Sequence, residues 1–481
     1  MMKYTYQKIF LFCTALYTAN TLAQAYAIKQ QDPNEQFSSS MPKILDKPVY
    51  QHSLPEQKTP QNIELTEQQL AQQPELIKRG FIPALLENNA PAVKILYPLY
   101  HDLADPDPYL LDWGQAILDK EKGNYPQAIK LYRKLFAINP DILPLRYQLA
   151  QTLWLNNDNI AAKDQFEKLR AENISPQFNQ LMDQYIDGLN KRDQWEISFG
   201  LNYISESNIN NAPKTPYIGQ WKTWQKESAK GLGYHLNLNK KWSLPHQLFS
   251  KFESQFYGKY YWDNQKYNEL NLRLGIGLGY QNAQQQISLT PFVEKRWYAG
   301  GSQGSNSLKQ YADNAGMRVY FSQWLSPNWQ AISWLEYAEQ RYKTRHHLNG
   351  NHYFWSNSLI YLPHSEQYWL IGADYQRDNT RDKDNAFDRK SLRLGWGQEW
   401  KWGISSFASF NYARRKYKAA DFFNIQQKNN EYAMQISLWH RNIHFFGVTP
   451  RLTWQYQKYT SNHPLYQYDK NRLYLELSKR F

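Results

Sequence analysis

The side chains that could carry out chemistry do not form a catalytic or metal-binding pattern. Cys13 is the single cysteine of the chain, which excludes disulfide frameworks, thiolate metal sites and cysteine nucleophiles. The adjacent pair His346–His347 has no carboxylate near it. Asp378, Asp382 and Asp384 share a polar segment that is typical of a solvated loop, with a weak calcium site as the alternative. The spacings of zinc peptidases, serine hydrolases and nucleotide-binding loops do not occur, so we expect no enzyme activity, no cofactor and no metal.

Gly275, Gly277 and Gly279 form a glycine-rich run that could be compared with a phosphate-binding loop. The run alternates with Ile276 and Leu278, which is the period of a β-strand, whereas a phosphate-binding loop opens a helix. We interpret the three glycines as a track of small residues that faces the interior of a barrel.

The composition limits the kinds of secondary structure that can hold these residues. The chain has 481 residues and a mean hydropathy of −0.78, yet 16% of its residues are aromatic. A transmembrane helix needs an apolar run of about 20 residues, which does not occur, and disordered chains contain few aromatics. A soluble β-rich protein or an outer-membrane barrel fits, since only alternate residues of a barrel strand are apolar. The net charge of +13 is ascribed to surfaces that meet anionic lipopolysaccharide, and no nucleic acid is expected as a partner.

The first two segments predict export and a tether. Residues 1–27 have the features of a signal peptide, because Lys3 and Lys8 accompany a short apolar stretch and small residues follow at Ala23–Ala27. Residues 28–66 are rich in Gln, Pro, Ser and Lys without any periodicity, so we predict a flexible linker.

Residues 67–192 have the apolar period of helices and contain an internal repeat. Four positions recur after 34 residues: Ala116, Gly123, Ala128 and Tyr132 correspond to Ala150, Asn157, Ala162 and Phe166. This spacing resembles the tetratricopeptide repeat, in which small residues let paired helices pack closely and a glycine or a left-handed Asn makes the turn. We predict a periplasmic domain whose concave surface binds a partner. An ordinary helical domain that only braces its neighbour is the alternative.

Residues 193–481 alternate between apolar and polar positions and predict 14 strands. Short connections such as Ser243–Pro245 and Arg441–His444 follow the even strands, and longer ones follow the odd strands: Ser205–Glu227, Ala299–Lys309, Gln376–Arg389 and Lys416–Asn429. In outer-membrane barrels the short turns are periplasmic and the long loops extracellular, so the first strand must begin in the periplasm. The predicted fold is α+β multidomain, with N-terminal α-helical repeats followed by a 14-stranded antiparallel transmembrane β-barrel.

The last strand carries a further outer-membrane feature. Leu473, Leu475 and Leu477 share the parity of the C-terminal Phe481. This pattern resembles the signal by which the barrel-assembly machinery recognises its substrates, and we expect that machinery and outer-membrane lipid as partners. A soluble strand that happens to end in Phe is the alternative.

The stretch Gly200–Pro213 joins an alternating first strand to an Asn-rich loop that contains Asn208, Ile209, Asn210, Asn211 and Pro213. Together with the signal, the repeats and the barrel, it resembles the surface lipoprotein assembly modulators (Slam). The resemblance implies transport of particular client proteins to or across the outer membrane. It also implies that the clients are surface lipoproteins or soluble proteins that bind host ligands, recognised through a C-terminal barrel-like domain.

The leading hypothesis is therefore an outer-membrane translocation factor for proteins. Its helical domain would receive a client in the periplasm, and the seam between the first and last strands is a candidate lateral gate. The Asn208–Pro213 loop is the candidate functional loop, with an ordinary hairpin loop rich in turn formers as the alternative. A polysaccharide exporter with periplasmic repeats and a porin-like channel are the competing functions.

Overall fold

The computed structural model describes residues 67–480, apart from residue 173 and the pairs 219–220, 302–303 and 446–447. The signal peptide and linker predicted for residues 1–66 lie outside the described residues, as does Phe481. The domain limits at residues 27, 66 and 192 stay predictions. No described helix is both long and apolar enough to span a membrane.

The N-terminal part of the described chain is helical. Several helices start at a proline in their first turn, where the missing N–H has no cost, and the side chains of Asn89, Asp107 and Ser175 cap three of them. The described helices are α1 Glu67–Ala71, α2 Pro74–Leu86, α3 Ala90–His101, α4 Pro108–Glu121, α5 Tyr125–Ile138, α6 Leu143–Leu155, α7 Asn159–Ala171 and α8 Pro176–Arg192.

Three left-handed turns join the antiparallel helix pairs. Asn88, Gly123 and Asn157 have φ values of 56°, 79° and 57° between α2 and α3, α4 and α5, and α6 and α7. Only Gly and, at some cost, Asn adopt this conformation readily. The first pair, α2–α3, is therefore a further repeat of the same kind, and its turn residue Asn88 lies 35 positions before Gly123.

Most of the repeat positions singled out from the sequence lie in one continuous hydrophobic core, and Gly123 and Asn157 lie in the turns outside it. This core runs through α2 to α8. Six of those positions are almost completely buried: Ala116, Ala128, Tyr132, Ala150, Ala162 and Phe166. The small residues are where neighbouring helices pack most closely, and the rings of Phe166 and Tyr185 stack at 4.4 Å between α7 and α8.

Helix α6 is buried on nearly all sides because other helices pack around it. The Gln148 side chain accepts a hydrogen bond from Trp113 Nε1 of α4 at 2.7 Å and donates one to the Leu85 carbonyl of α2 at 2.7 Å. Gln151 donates to the Tyr185 hydroxyl of α8 at 3.2 Å. These buried amides tie α2, α4, α6 and α8 into one unit.

The rest of the described chain forms a closed 14-stranded antiparallel barrel, which confirms the predicted fold. Each strand pairs with its neighbours in sequence, and the first and last strands close the ring. The barrel strands are β1 Trp195–Glu206, β2 Ala229–Ser243, β3 Leu248–Tyr261, β4 Glu269–Gln281, β5 Gln285–Tyr298, β6 Lys309–Ser326, β7 Trp329–Tyr342, β8 Gly350–His364, β9 Gln367–Thr380, β10 Phe387–Glu399, β11 Ile404–Ala420, β12 Gln426–His440, β13 Thr449–Ser461 and β14 Tyr468–Arg480.

Strand β4 illustrates the alternation that defines the two faces of the wall. Ile276 and Leu278 are 69% and 65% exposed on the outer face. Gly275 faces the lumen, where it lines a small internal space beside Arg273 and Thr290. The glycine run is therefore part of a strand wall and not a phosphate-binding loop.

Two predicted loops are shorter than expected, and one predicted turn is longer. Strands β9 and β11 continue to Thr380 and Ala420, and β10 and β12 begin at Phe387 and Gln426. The loops predicted for Gln376–Arg389 and Lys416–Asn429 were therefore wrong at their edges. Polar lumen-facing residues made these strand ends look like loops. The Arg441–His444 turn is in fact part of a longer connection between β12, which ends at His440, and β13, which begins at Thr449.

Candidate functional site in the barrel lumen

Buried ion pairs join nearby strands on the lumen side of the wall. Arg273 of β4 donates to Glu336 of β7 at 2.8 Å, and Arg318 of β6 donates to the same carboxylate at 2.8 Å. In another part of the wall, Glu431 of β12 accepts a hydrogen bond from Arg389 at 2.8 Å and forms an ion pair with Arg415 at 2.8 Å. Each carboxylate faces two guanidinium groups, so these buried charges are compensated by close partners of opposite sign.

A third buried ion pair braces the wall between β8 and β10. Arg393 is 1% exposed and donates to both Asp374 carboxylate oxygens at 2.8–2.9 Å. Its guanidinium also donates to the hydroxyls of Ser356 and Ser358. These pairs stiffen the lumen, and their chemistry is that of recognition and bracing. No group of three or more His, Cys, Asp or Glu side chains that could hold a metal ion occurs among the described residues.

A cavity of about 980 Å³ occupies the lumen along β1, β2 and β14. At the end nearest the helices it reaches the β8–β9 turn at Ser365 and Glu366. At the other end it reaches Glu206, where β1 ends. This volume is comparable with the largest small-ligand pockets. It can admit an extended segment of chain but not a folded domain.

The candidate loop after β1 is held by its own asparagine side chains. Asn208 accepts from the Ala212 N–H at 2.7 Å and donates to the Ala212 carbonyl at 2.9 Å. Asn210 donates to the Gln225 carbonyl at 2.6 Å. Asn211 adopts φ 52° in the left-handed region, and Ile209 packs against the β1–β3 cluster around Tyr261. These contacts explain the Asn-rich composition as a device for fixing the loop.

The same loop, here called the cap loop (residues 207–218 and 221–228), reaches across the end of the barrel that is farther from the helices. Trp224 packs against a cluster formed by Phe387 of β10, Tyr417 of β11 and the β13–β14 loop residues Leu465 and Tyr466. Strand β10 is five positions from β1 around the ring. The cap loop therefore extends over the barrel mouth and is anchored on its far side.

The backbone ladder is incomplete at the seam between β1 and β14. Strand β1 pairs with β2 along its full length, from Trp195 to Glu206. Its ladder with β14 covers only Ser198–Asn202. Above that point the cavity is lined by consecutive residues of β1, Tyr203–Glu206, and of β14, Arg472–Tyr474. The cavity therefore borders the half of the seam that the backbone ladder does not cover.

The helical domain is fixed to the turns at the nearer end of the barrel. The Asp193 carboxylate accepts from the backbone N–H and the hydroxyl of Ser243 at 2.9 and 2.7 Å. Asn159 of α7 donates to the same hydroxyl at 2.8 Å. Asn157, at the left-handed turn, donates to the Asn282 carbonyl of the β4–β5 turn at 3.0 Å. The repeat turn Asn157 is therefore also a contact between the helices and the barrel.

Charged groups at this junction are buried. Burial lowers the pKa of Arg192 to about 10, against the opposing effect of Asp193, and its guanidinium donates to Asn159 Oδ1 at 2.6 Å. Burial also raises the pKa of Asp158, while Arg133 and His246 of the β2–β3 turn act to lower it. The junction thus holds charges that depend on the docking of helices against barrel turns.

Comparison with known proteins decides the family. A family model described as "Surface lipoprotein assembly modifier" matches residues 195–481, and a model of that family's N-terminal TPR repeats matches residues 63–166. The chain belongs to the surface lipoprotein assembly modifier family. It is similar to Surface lipoprotein assembly modifier 1 of Haemophilus influenzae, with 57% identity over 88% of each chain. It is also similar to the Hemophilin secretion modulator of Acinetobacter baumannii, with 22% identity over 86% of this chain and 88% of that protein.

Among solved structures, the TodX monoaromatic hydrocarbon channel covers 60% of this chain and 91% of its own with a TM-score of 0.35 and 9% identity. That score is too low to relate the two proteins. Membership of the surface lipoprotein assembly modifier family and the closed barrel locate this chain in the outer membrane, with its helical domain in the periplasm. The cap loop and the half of the seam that the ladder does not cover are consequently at the extracellular end.

The remaining predicted positions of this family member have clear places. Leu473, Leu475 and Leu477 are 63%, 49% and 40% exposed on the outer face of β14. Their role in recognition by the assembly machinery stays a prediction.

Two functional features were not predicted from the sequence: Trp224 and the Glu206–Arg472 contact across the seam. Trp224 stood out only as one aromatic among many, and the contact depends on which strands close the ring.

Proposed function

We propose that this chain moves client proteins to or across the outer membrane. The helical domain receives the client in the periplasm, an extended client segment enters the lumen cavity, and the client leaves through the extracellular half of the β1–β14 seam. The observation that carries the proposal is the course of the cavity, which runs from the periplasmic turn at Ser365–Glu366 to the seam at Tyr203–Glu206.

The cap loop favours lateral exit over exit along the barrel axis. It crosses the extracellular mouth and is anchored by Trp224 on the opposite wall. A folded client also exceeds the cavity volume of about 980 Å³, so only an extended portion can occupy the resting lumen. A segment that enters from the periplasm therefore meets the half of the seam that the ladder does not cover.

The clients are surface lipoproteins or soluble proteins that bind host ligands and carry a C-terminal barrel-like domain. The names of the relatives support this range, since one is a surface lipoprotein assembly modifier and another a hemophilin secretion modulator. The barrel-assembly machinery is proposed as the partner that inserts this barrel, and lipopolysaccharide as the lipid around its outer half.

The two competing functions have less support. A porin-like channel needs an open mouth and has no use for periplasmic repeats. In this chain a loop covers the mouth and helical repeats are present. A polysaccharide exporter needs a continuous polar track through the barrel axis. The lumen arginines are instead paired with carboxylates on nearby strands, for example Arg273 with Glu336.

The experiment is a surface-exposure assay in intact Gram-negative cells that lack the chain. A surface lipoprotein with a C-terminal β-domain is co-expressed with the full chain, with residues 193–481 behind the same signal peptide, or with neither. We expect protease to remove the client from cells with the full chain only. Equal client exposure in all three strains would reject the proposal. Uptake of small sugars and export of polysaccharide, measured in the same strains, test the porin and exporter alternatives.

A further inference from the structure

We propose that the extracellular half of the β1–β14 seam is a strand edge that binds an extended client segment with alternating polar and apolar residues. In this proposal Glu206 selects the segment by binding a positively charged side chain. This inference rests on the proposed function, because it assumes that a client reaches the seam. It adds the chemistry of the segment and the contact that closes the site when no client is present.

The first observation is the difference between the two edges of β1. The edge toward β2 is paired from Trp195 to Glu206, whereas the ladder toward β14 stops at Asn202. The β1 edge at Tyr203–Glu206 therefore faces the cavity without belonging to that ladder. An exposed strand edge pairs readily with another extended chain, and main-chain hydrogen bonds then supply the affinity.

The second observation is a set of side-chain ties across the same half of the seam. Arg472 of β14 forms an ion pair with the Glu206 carboxylate at 2.7 Å, and the Lys470 ammonium lies 3.8 Å from the same carboxylate. Lys214 of the cap loop forms an ion pair with Asp469 of β14. Side chains thus hold the strands together where the backbone ladder does not, which is the arrangement of a latch.

The charges at this latch determine which client segment can take the place of β14 beside β1. Glu206 is 5% exposed, so an incoming strand must offer it a cation, since a buried carboxylate without a partner is costly. The lipid-facing positions beside it must be apolar, because successive residues alternate between lumen and bilayer. The segment therefore carries Arg or Lys at one lumen-facing position and apolar residues at the lipid-facing positions that follow it, as Arg472, Leu473 and Leu475 do in β14 itself.

The test uses a synthetic peptide with the sequence of residues 468–480 as the probe. The full chain is placed in lipid nanodiscs with a photo-crosslinking residue at Ser205, at the edge of β1, or at Ile371 on the outer face of β9 as the matched control. We expect crosslinking at Ser205 to exceed that at Ile371. The R472Q variant opens the latch and leaves Glu206 available, so labelling should rise several-fold. E206Q should lower labelling about tenfold relative to R472Q, since it removes a charge-assisted bond.

A charge exchange separates specific docking from a general loosening of the barrel. A peptide with Glu at the position of Arg472 should label E206R and not the unmodified chain, and the original peptide should do the reverse. Labelling that ignores the charge exchange, or that is equal at Ser205 and Ile371, would overturn the inference. Labelling of Ser205 by a photoreactive phospholipid but not by either peptide would assign the seam to lipid instead. In either case the client-exposure assay can still succeed, so the proposed function is judged separately.

Discussion

At the scale of single residues, Lys120 connects burial in the helical domain to a pH effect. Its side chain is 9% exposed in α4 and donates to Asn88 Oδ1 of the first repeat turn at 2.8 Å. Burial lowers the pKa of Lys120 to about 8, with a smaller opposing effect of Glu121. The ammonium is therefore less favoured in the folded than in the unfolded chain.

The free energy of unfolding of the helical domain should rise between about pH 8 and pH 10. In this range the unfolded chain binds more protons at Lys120 than the folded chain does, so raising the pH favours folding. Helix melting of the full chain, followed by circular dichroism at 222 nm, measures the trend. The K120M variant should show a flatter pH dependence, and an unchanged slope in K120M would refute the assignment. Burial raises the pKa of Tyr97 and of Tyr125. Above pH 10 the folded chain therefore keeps more protons on these hydroxyls than the unfolded chain does, and raising the pH lowers the free energy of unfolding.

Glu431 makes the second residue-scale prediction. It neutralises Arg389 and Arg415 in the lumen and is 1% exposed. Loss of one partner from a buried ion network costs about 3–5 kcal/mol. E431Q should therefore lower the temperature of heat-modified gel migration by roughly 5–10 °C in a barrel of this size. The matched control is E399Q, whose carboxylate pairs with Arg441 at 3.3 Å but is 51% exposed; its shift should be small. Equal shifts in the two variants would contradict the role of the lumen network.

At the scale of elements, the cap loop is the feature that closes the mouth. Removing the Trp224 side chain should release the loop from Phe387 and Tyr417 and raise ion conductance in planar bilayers. The control is W402A, because Trp402 is 87% exposed at a periplasmic turn. It lies at the other end of the barrel from the cap loop. A W224A conductance that matches the W402A value would show that Trp224 does not hold the mouth shut.

Alternation and repeat spacing predicted most of the elements because both patterns are local. The 34-residue recurrence identified Gly123 and Asn157 as turn positions, and both have positive φ. The sequence also predicts an earlier repeat at about Gly80–Pro106, with Ala92 aligned to Ala128 at an offset of 36 residues. The left-handed turn residue Asn88 lies 35 residues before Gly123, so that alignment did not identify it. Strand ends such as Asp378–Thr380 were assigned to loops, because lumen-facing side chains are as polar as loop residues.

The functional geometry was less accessible to sequence reasoning because it depends on long-range closure. Trp224 meets β10 and β11 only after the barrel has closed, and Glu206 meets Arg472 only because β1 and β14 are neighbours. The sequence could name the seam as a candidate gate. It could not predict that the ladder there ends at Asn202, since ladder length is set by the tilt and stagger of all 14 strands.

At the scale of the whole molecule, the helical domain, the cavity and the seam form one route. The helices are tied to the periplasmic turns through Asp193 and Asn157. The cavity begins beside another periplasmic turn and ends beside the half of the seam that the ladder does not cover. Under the proposed function, a client held by the helices is presented to the cavity entrance, and the barrel passes it on.

The most direct test of this account is a reversible lock on the seam in intact cells. The variant Y203C/L475C places cysteines where the ladder stops, and L201C/L477C places them at a paired position as the control. We predict that oxidation of Y203C/L475C abolishes protease-accessible client, that reduction restores it, and that oxidised L201C/L477C still exposes the client. Full client exposure by the oxidised Y203C/L475C barrel, with its disulfide verified on a gel, would contradict exit through the seam.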